Sequence, residues 1–559
     1  MDNSPLRHIP TELILEITGS LTPDHFSVLN LAQTCQHLNR LIMPSFLPLF
    51  GLETASDTLE INLPSFEVVN HFDILSVLLA ARAHIPSVKR FSCHLPGKSD
   101  HVITHFHRLT PFISRLSSLG SVEIVFSQKE DWNIASGDIK DLRRWIHAFE
   151  ALFNAFIERG CSELTVRRGS IFDLAFYVRN SIDTVAAVDW VEADGPSSRL
   201  LNNKKIATTL KGRHWSWLRH PDFTGKLPKF SRAAQQNCSN LKTLRIASNF
   251  FLVPPCSEWV FALVKHASNL TTLEIVDILR PYEKWLPIIP ILVSCLSRHK
   301  CLESLVIHRT TIIPVPALLY LLSSLPFLRR LSLDASVHYV SPLATDVPSN
   351  PPKFPNLEYV EVPSDYLAFF LTKDNRLPAL KEVWIHPRTR YFPELDCDSS
   401  IHLSPLLNAV ANQCSVVGLV GLFHMSEPPP TYIPSSGSSS SKSGLSRRIS
   451  GFFKSLQEDT LAKSVFLGLS PASHPRSCGS LSCFDLVTAL VLSSSYGSFD
   501  VNSPRFHEWM TLFPNVTRLQ LQAGISSDAL SRLKETLRKS NPNLTTISVG
   551  PAPLWVSMA

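Results

Sequence analysis

Polar and aromatic side chains recur at fixed places beside leucines in the middle of the chain. Arg245, Glu274, His308, Arg330, Asp334, Tyr359, Glu361, Trp384 and His386 all follow this rule. In an extended segment successive side chains point to opposite sides, so these residues face away from the leucines that alternate with them. Thr243, Thr272, Ser304, Val306, Ser332 and Glu382 fall on the same side. Tyrosine and tryptophan among mixed charge are the residues that dominate protein-binding hot spots. The pattern predicts a partner-binding face, centred on the Tyr359–Trp384–His386 end. The plainer alternative is a solvated face with incidental aromatics.

Other groupings carry less chemistry. His101, His105 and His107 lie near Cys93 and His94, but no defined fourth ligand completes a zinc set. Surface or packing histidines and no metal are expected. Lys204, Lys205, Lys211, Arg213 and Arg219 surround Trp215 and Trp217. That mixture suits single-stranded nucleic acid, yet no nucleic-acid fold frames it, and a basic surface loop is expected. Pro429, Pro430 and Tyr432 spell the P-P-x-Y of a WW-domain ligand, and Ser450 ends a basophilic phosphorylation pattern, R-R-I-S. Asp396-Cys397-Asp398 is isolated. Phosphate loops, dinucleotide fingerprints, zinc-protease helices and nucleophile elbows are all absent. No enzyme activity and no cofactor are expected. A triad is defined by geometry, so a buried, convergent polar cluster would reopen the question.

A repeat must position the polar face. The phrase Asn-Leu-x-x-Leu-x-Ile recurs in "CSNLKTLRI" (238–246), "ASNLTTLEI" (267–275), "HKCLESLVI" (299–307), "LPFLRRLSL" (325–333), "FPNLEYVEV" (354–362) and "LPALKEVWI" (377–385). Leu241, Leu270, Leu302, Leu328, Leu357 and Leu380 are 29, 32, 26, 29 and 23 residues apart. The phrase returns in "FDLVTALVL" (484–492), "FPNVTRLQL" (513–521) and "NPNLTTISV" (541–549), and weaker copies stand at 85–93, 116–124 and 161–166. Helix-like stretches such as "SEWVFALVKHA" (257–267) and "PALLYLLSSL" (316–325) lie between phrases. One such unit cannot bury its apolar face alone, and stacking solves this.

The phrase resembles the leucine-rich repeat at L-x-x-L-x-[LI]. It departs at the Asn/Cys that usually follows: only Asn249 stands there, against Ile278, Thr310, Ser336, Asp365 and Arg388. Without that amide ladder a curved but irregular α/β solenoid with parallel strands is expected. "SEPPPTYIPSSGSSSSKSGLSRRIS" (426–450) offers no apolar period and reads as a disordered linker or loop.

Composition sets outer bounds. The 559 residues are 44% hydrophobic and only 18% charged, with 41 prolines against 20 glycines. A net charge of +6 over this length does not argue for nucleic acid. The longest apolar stretch, around 285–296, is short and broken by Pro287 and Pro290, so no membrane span is expected. Eleven cysteines without a C-x-x-C, and no secretory leader at Met1–Pro5, fit a reducing compartment. The sequons at Asn237, Asn269, Asn515 and Asn543 then read as chance, three of them inside the repeat.

Ahead of the repeats stands "IPTELILEITGSLTPDHFSVLNLAQTCQHLNRLIMP". Pro10 suits a first helical turn and Gly19 an exit. Thr22 as cap and Pro23 as first residue suit the start of a second helix, whose N-terminus Asp24 favours, and a third is expected to end before Pro44. This stretch resembles an F-box at Ile9, Pro10, Glu12, Leu13, Ile17, Leu21, Asp24, Leu31, Cys35 and Leu38. Ile9 stands where leucine is usual, and His25-Phe26 where Leu-Leu is more common. The resemblance covers about residues 6–47. It implies a non-catalytic substrate receptor of an SCF-type cullin–RING ubiquitin ligase, cytoplasmic or nuclear. The Skp-type linker would be held by Ile9, Pro10, Leu13, Ile14, Ile17, Leu31, Cys35 and Leu38, and the repeats would hold a protein substrate. The expected domains are 1–50, 51–425, a linker at 426–455, and terminal repeats at 456–559. The alternatives are a leucine-rich-repeat scaffold capped by these helices, and, more remotely, an enzyme with an unrecognised site.

Overall fold

The computed structural model describes residues 9–21, 24–50, 52, 57–63, 74–81, 84–96, 99–127, 139–169, 176–178, 217–219, 227–252, 255–278, 285–297, 299–308, 313, 315–333, 352–371, 377–386, 406–411, 414–423, 485–494, 510–511, 513–522 and 527–550. Asp334, most of the basic 203–220 segment, and the linker with Pro429, Pro430, Tyr432 and Ser450 lie outside them.

The chain is α/β. Among the described residues its main sheet has fourteen strands, joined in chain order. The chain divides into two compact units, Met1–Val306 with Ile313–Leu325, and Ile307–Ile312 with Pro326–Ala559. The first holds β1 (Thr58–Asn62), β2 (Ser87–His94), β3 (Ser118–Val125) and β4 (Glu163–Arg167). After a separate antiparallel pair, β5 (Phe176–Val178) with β6 (Trp217–Arg219), come β7 (Thr243–Ala247), β8 (Thr272–Val276) and the start of β9 (Ser304–His308). The second unit takes the end of β9, then β10 (Arg330–Leu333), β11 (Tyr359–Pro363), β12 (Glu382–His386), β13 (Val416–Phe423), β14 (Ala489–Ser494), β15 (Arg518–Gln522) and β16 (Thr546–Gly550). β13 pairs directly with β14, so the sheet continues across the 426–455 segment.

Strand alternation is clean. In β7, Leu244 and Ile246 are fully buried while Thr243 and Arg245 are half-buried on the other side. Parallel register stacks like on like: Leu244 opposes Leu273, and Ile246 opposes Ile275. Helices cover the leucine side. The helix Cys256–His266 buries Val260, Leu263 and Val264 as its period requires. The long helix Ile139–Glu158 brings Phe149 and Phe153 into a stack at 4.3 Å, and both reach Phe251 and Trp259.

The missing amide ladder is replaced by one at the other end of the strand. Before β7 to β9 and β11 to β16, the residue just ahead of the strand stitches to the preceding strand's repeat. Thr271 and Thr272 both give backbone N–H groups to the Lys242 carbonyl, at 2.9 and 3.0 Å. The Thr271 hydroxyl joins them at 3.1 Å. Thr517 repeats the hydroxyl bond to Thr488 (3.1 Å), and Thr545 to Thr517 (2.9 Å). Two residues earlier an asparagine amide does the same: Asn269 to the Ser239 carbonyl (2.9 Å), Asn515 to Asp485 (2.7 Å) and Asn543 to Pro514 (3.0 Å). Three of the four sequons are therefore repeat stitching, with both the asparagine and the threonine in use.

Three short helices stand first: α1 (Thr11–Leu21), α2 (His25–Thr34) and α3 (Gln36–Phe46), followed by a 3-10 turn at Leu47–Phe50. Their ends differ from expectation. Gly19 lies inside α1, since an isolated glycine costs only ~1 kcal/mol in a helix and Leu21 gains cover by continuing. Asp24 caps α2, accepting from the Phe26 N–H at 3.2 Å and from the Ser27 hydroxyl. Pro44 sits within α3. The helix gives up one hydrogen bond there and buries Phe46 and Leu47 beyond it. His25 edges onto Phe46 and Phe50 at 5.9 and 5.8 Å. The Asn39 amide reaches the Ala80 carbonyl (2.9 Å), fixing the helices to the first repeat helix, Ile74–Ala80. Among the described residues no helix is long and apolar enough to cross a membrane.

The amide of buried Asn541 donates to both the Met510 and Phe513 carbonyls. Asn541→Ala removes two buried hydrogen bonds, the Met510 and Phe513 carbonyls keeping the backbone N–H groups of Phe513 and Val516, and is expected to cost roughly 1–3 kcal/mol, read as a lower urea midpoint at unchanged slope. Asn269→Ala, at an exposed bond, is expected to cost roughly 1 kcal/mol or less.

Candidate functional site

Two surfaces stand out. The first is the helical module. Ile14 and Leu38 are buried inside it, so these two residues belong to its own core rather than to its surface. The geometry of α1 explains the division: with Ile14 inward, Leu13 and Ile17 fall on one shoulder and Leu15 on the other. Leu13, Leu15, Ile17, Phe26 and Leu49 are between 46% and 55% exposed. Pro10 is exposed as well, while Ile9, Leu31 and Cys35 are half-covered. Leu15, Phe26 and Leu49 were not selected by the sequence pattern. In Leu15 the i,i+4 signal is absent, and Phe26 stood out only as a departure.

The second surface is the outer face of β9–β13. In the first unit this face is neutralised internally: Arg245 pairs with Glu274 at 3.4 Å, and Arg167 with Glu123 at 2.8 Å. In the second unit the expected residues converge. Register places Ser332, Glu361, Trp384 and Gly418 side by side on β10 to β13. Glu361 is the centre. Its carboxylate accepts from the Ser332 hydroxyl and from the Tyr359 hydroxyl at 3.1 Å, and its other oxygen lies 3.3 Å from His386 Nε2. His308 Nε2 lies 2.6 Å from Ser332 Oγ. Arg330 lays its guanidinium over the Tyr359 ring, 4.2 Å from the centroid.

This is a buried, convergent polar cluster, and its protons decide what it does. Burial pushes the Glu361 pKa upward. The His386 hydrogen bond, the charges of His386 and His308, and the Ser332 hydrogen bond outweigh burial and leave the carboxyl lowered to about 2. Glu361 is thus ionised and takes the one proton of Ser332. The Ser332 oxygen then accepts from His308, whose Nε2 must carry hydrogen. A nucleophilic serine needs the reverse, a histidine lone pair facing its proton. Ser332 is also only 1% exposed. The cluster holds a carboxylate rather than activating a hydroxyl. Burial, and then the Glu361 charge, raise the Tyr359 pKa well above its ordinary value, keeping the phenol a donor.

Trp384 is held at both sides. Its indole N–H donates to Glu382 at 2.6 Å, and its ring lies against Gly418, where a Cβ would come within 2.1 Å of Trp384 Cε3. Gly418 was missed as a functional candidate because its role appears only once strand register is known, whereas Glu382 was among the outward positions of the sequence pattern. The histidines of the helix Ser99–Ile113 make no cluster: His105 is buried, and His107 stands 6.4 Å from His147. Among the described residues no group of His, Cys, Asp and Glu could hold a metal. No protein-family model matches the chain, and no curated protein aligns with it.

Glu361 ties stability to pH. Its folded pKa lies below its ordinary 4.5, so its contribution is complete above 4.5 and is lost as pH falls toward about 2. That contribution is on the order of 3 kcal/mol. Glu361→Gln is expected to lower stability at neutral pH and to flatten the acid limb between those values, measured by urea unfolding at stepped pH.

Proposed function

We propose that the chain is the substrate-recognition subunit of an SCF-type cullin–RING ubiquitin ligase and does no chemistry itself. In this reading the three-helix module is an F-box that docks on a Skp-type linker. The sheet and its helices are an irregular leucine-rich-repeat solenoid that holds a protein substrate on the outer face, in the cytoplasm or nucleus. One observation carries the reading: exposed large aliphatic and aromatic side chains concentrate in the helical module. Outside it, among the described residues, only Phe327 is comparably exposed. A module of about forty residues needs an external partner to cover such surface. The F-box pattern of Pro10, Leu13 and Ile17 falls on this exposed part.

A second reading is a repeat scaffold whose first helices act only as a cap. The bond from Asn39 to Ala80 favours it, since it secures the module to the first repeat. One experiment separates the two. The intact chain is expected to capture a purified Skp-type linker, and Leu13→Asp with Ile17→Asp to weaken capture about a hundredfold by placing charge on an apolar interface. The melting temperature should stay within a few degrees, because both side chains are surface groups. Absence of capture by the intact chain rejects the ligase reading, and a collapse of stability in the double variant favours the cap.

A further inference from the structure

Trp384 is built as a platform with one face in use. Gly418 on β13 lets the ring lie flat against the neighbouring backbone, and Glu382 fixes its N–H edge. The ring remains partly exposed, and among the described residues no second ring or cation stacks on it. Glu382 stands at its edge and the ionised Glu361 on the adjacent strand, opposite it in register. The cation on this part of the face, Arg330, is already seated on Tyr359 at 4.2 Å. That pair shows within the same surface what an aromatic ring flanked by carboxylates attracts.

We propose that the outward face of Trp384 binds a cationic side chain, arginine or lysine, from a basic segment of a polypeptide partner. The charge lies over the indole, and Glu382 supplies the counter-charge at the ring's edge. A cation over a tryptophan face is drawn by the ring quadrupole, and tryptophan is the strongest of the aromatic side chains in this respect. An acidic segment would meet two carboxylates instead. The inference rests on the outer face being the partner surface and specifies which partner chemistry it takes.

The test uses the full-length chain and a short fluorescein-labelled glycine–serine peptide carrying paired arginines, with a matched peptide carrying glutamines. Polarisation is expected to show binding of the arginine peptide only. Trp384→Ala should weaken it about tenfold. Trp384→Leu, which keeps bulk without a π-face, should weaken it comparably, and Trp384→Phe should keep part of it. Glu382→Gln should weaken it by a smaller factor. Thermal melts identify any variant that fails to fold, and the leucine and phenylalanine variants keep the comparison intact if alanine does. Equal binding of the glutamine peptide, no binding of the arginine peptide, or unchanged affinity in Trp384→Leu overturns the proposal. Leu13→Asp with Ile17→Asp should bind the arginine peptide normally, so failure of linker capture is read separately from failure here.

Discussion

The seam of hydrogen bonds at the start of most of the repeat strands sets the terms for everything else. One carbonyl of the preceding repeat receives two successive backbone N–H groups, and at several positions a threonine or serine hydroxyl as well. A parallel strand slipped by one residue would turn its leucines outward. Stitching the residue before the strand prevents that slip without any side chain on the strand itself. The leucine side can then be uniformly apolar, and the other side is left free to vary.

That freedom is what permits the cluster around Glu361. With register fixed, Ser332, Glu361, Trp384 and Gly418 become lateral neighbours although they are separated by 23 to 34 residues in sequence. A buried carboxylate without partners would be expelled or protonated. Here three donors converge on it from three strands. The same spacing that supplies donors to Glu361 supplies a glycine to Trp384. Bulk on one strand is matched by its absence on the next, a relation that no single repeat contains.

Much of the sheet was legible because L-x-x-L-x-I is both a composition and a period. β7 to β12 and β14 to β16 each start one residue before the second leucine or its equivalent. β13 was not legible. "VVGLVGLF" is apolar on both sides and lacks the asparagine-leucine opening, so alternation gives no signal. The helix ends at Gly19 and Pro44 were misjudged for one reason: local propensity costs a few kcal/mol at most, and partial cover of Leu21 and burial of Phe46 and Leu47 outweighed it. The polar face was legible as a set of outward positions. Its exposure was not, because cover for Ser332 and His386 comes from residues distant in sequence.

The two surfaces differ in kind, as the proposed function would require of them. The helical module offers exposed aliphatic and aromatic groups, a surface that gains by burial. Most of the polar groups of the outer face satisfy one another, so wetting or drying that face changes little until a ligand supplies something they lack. What they lack is a cation for the open side of Trp384. Affinity for an invariant partner needs area, whereas choice among many partners needs penalties for the wrong ones. An aromatic ring edged by Glu382, beside a carboxylate that stays charged at neutral pH, supplies such a penalty against acidic segments. The seam that keeps strand register also keeps that penalty in place, because a slip on β12 or β13 would remove the glycine from beneath the ring.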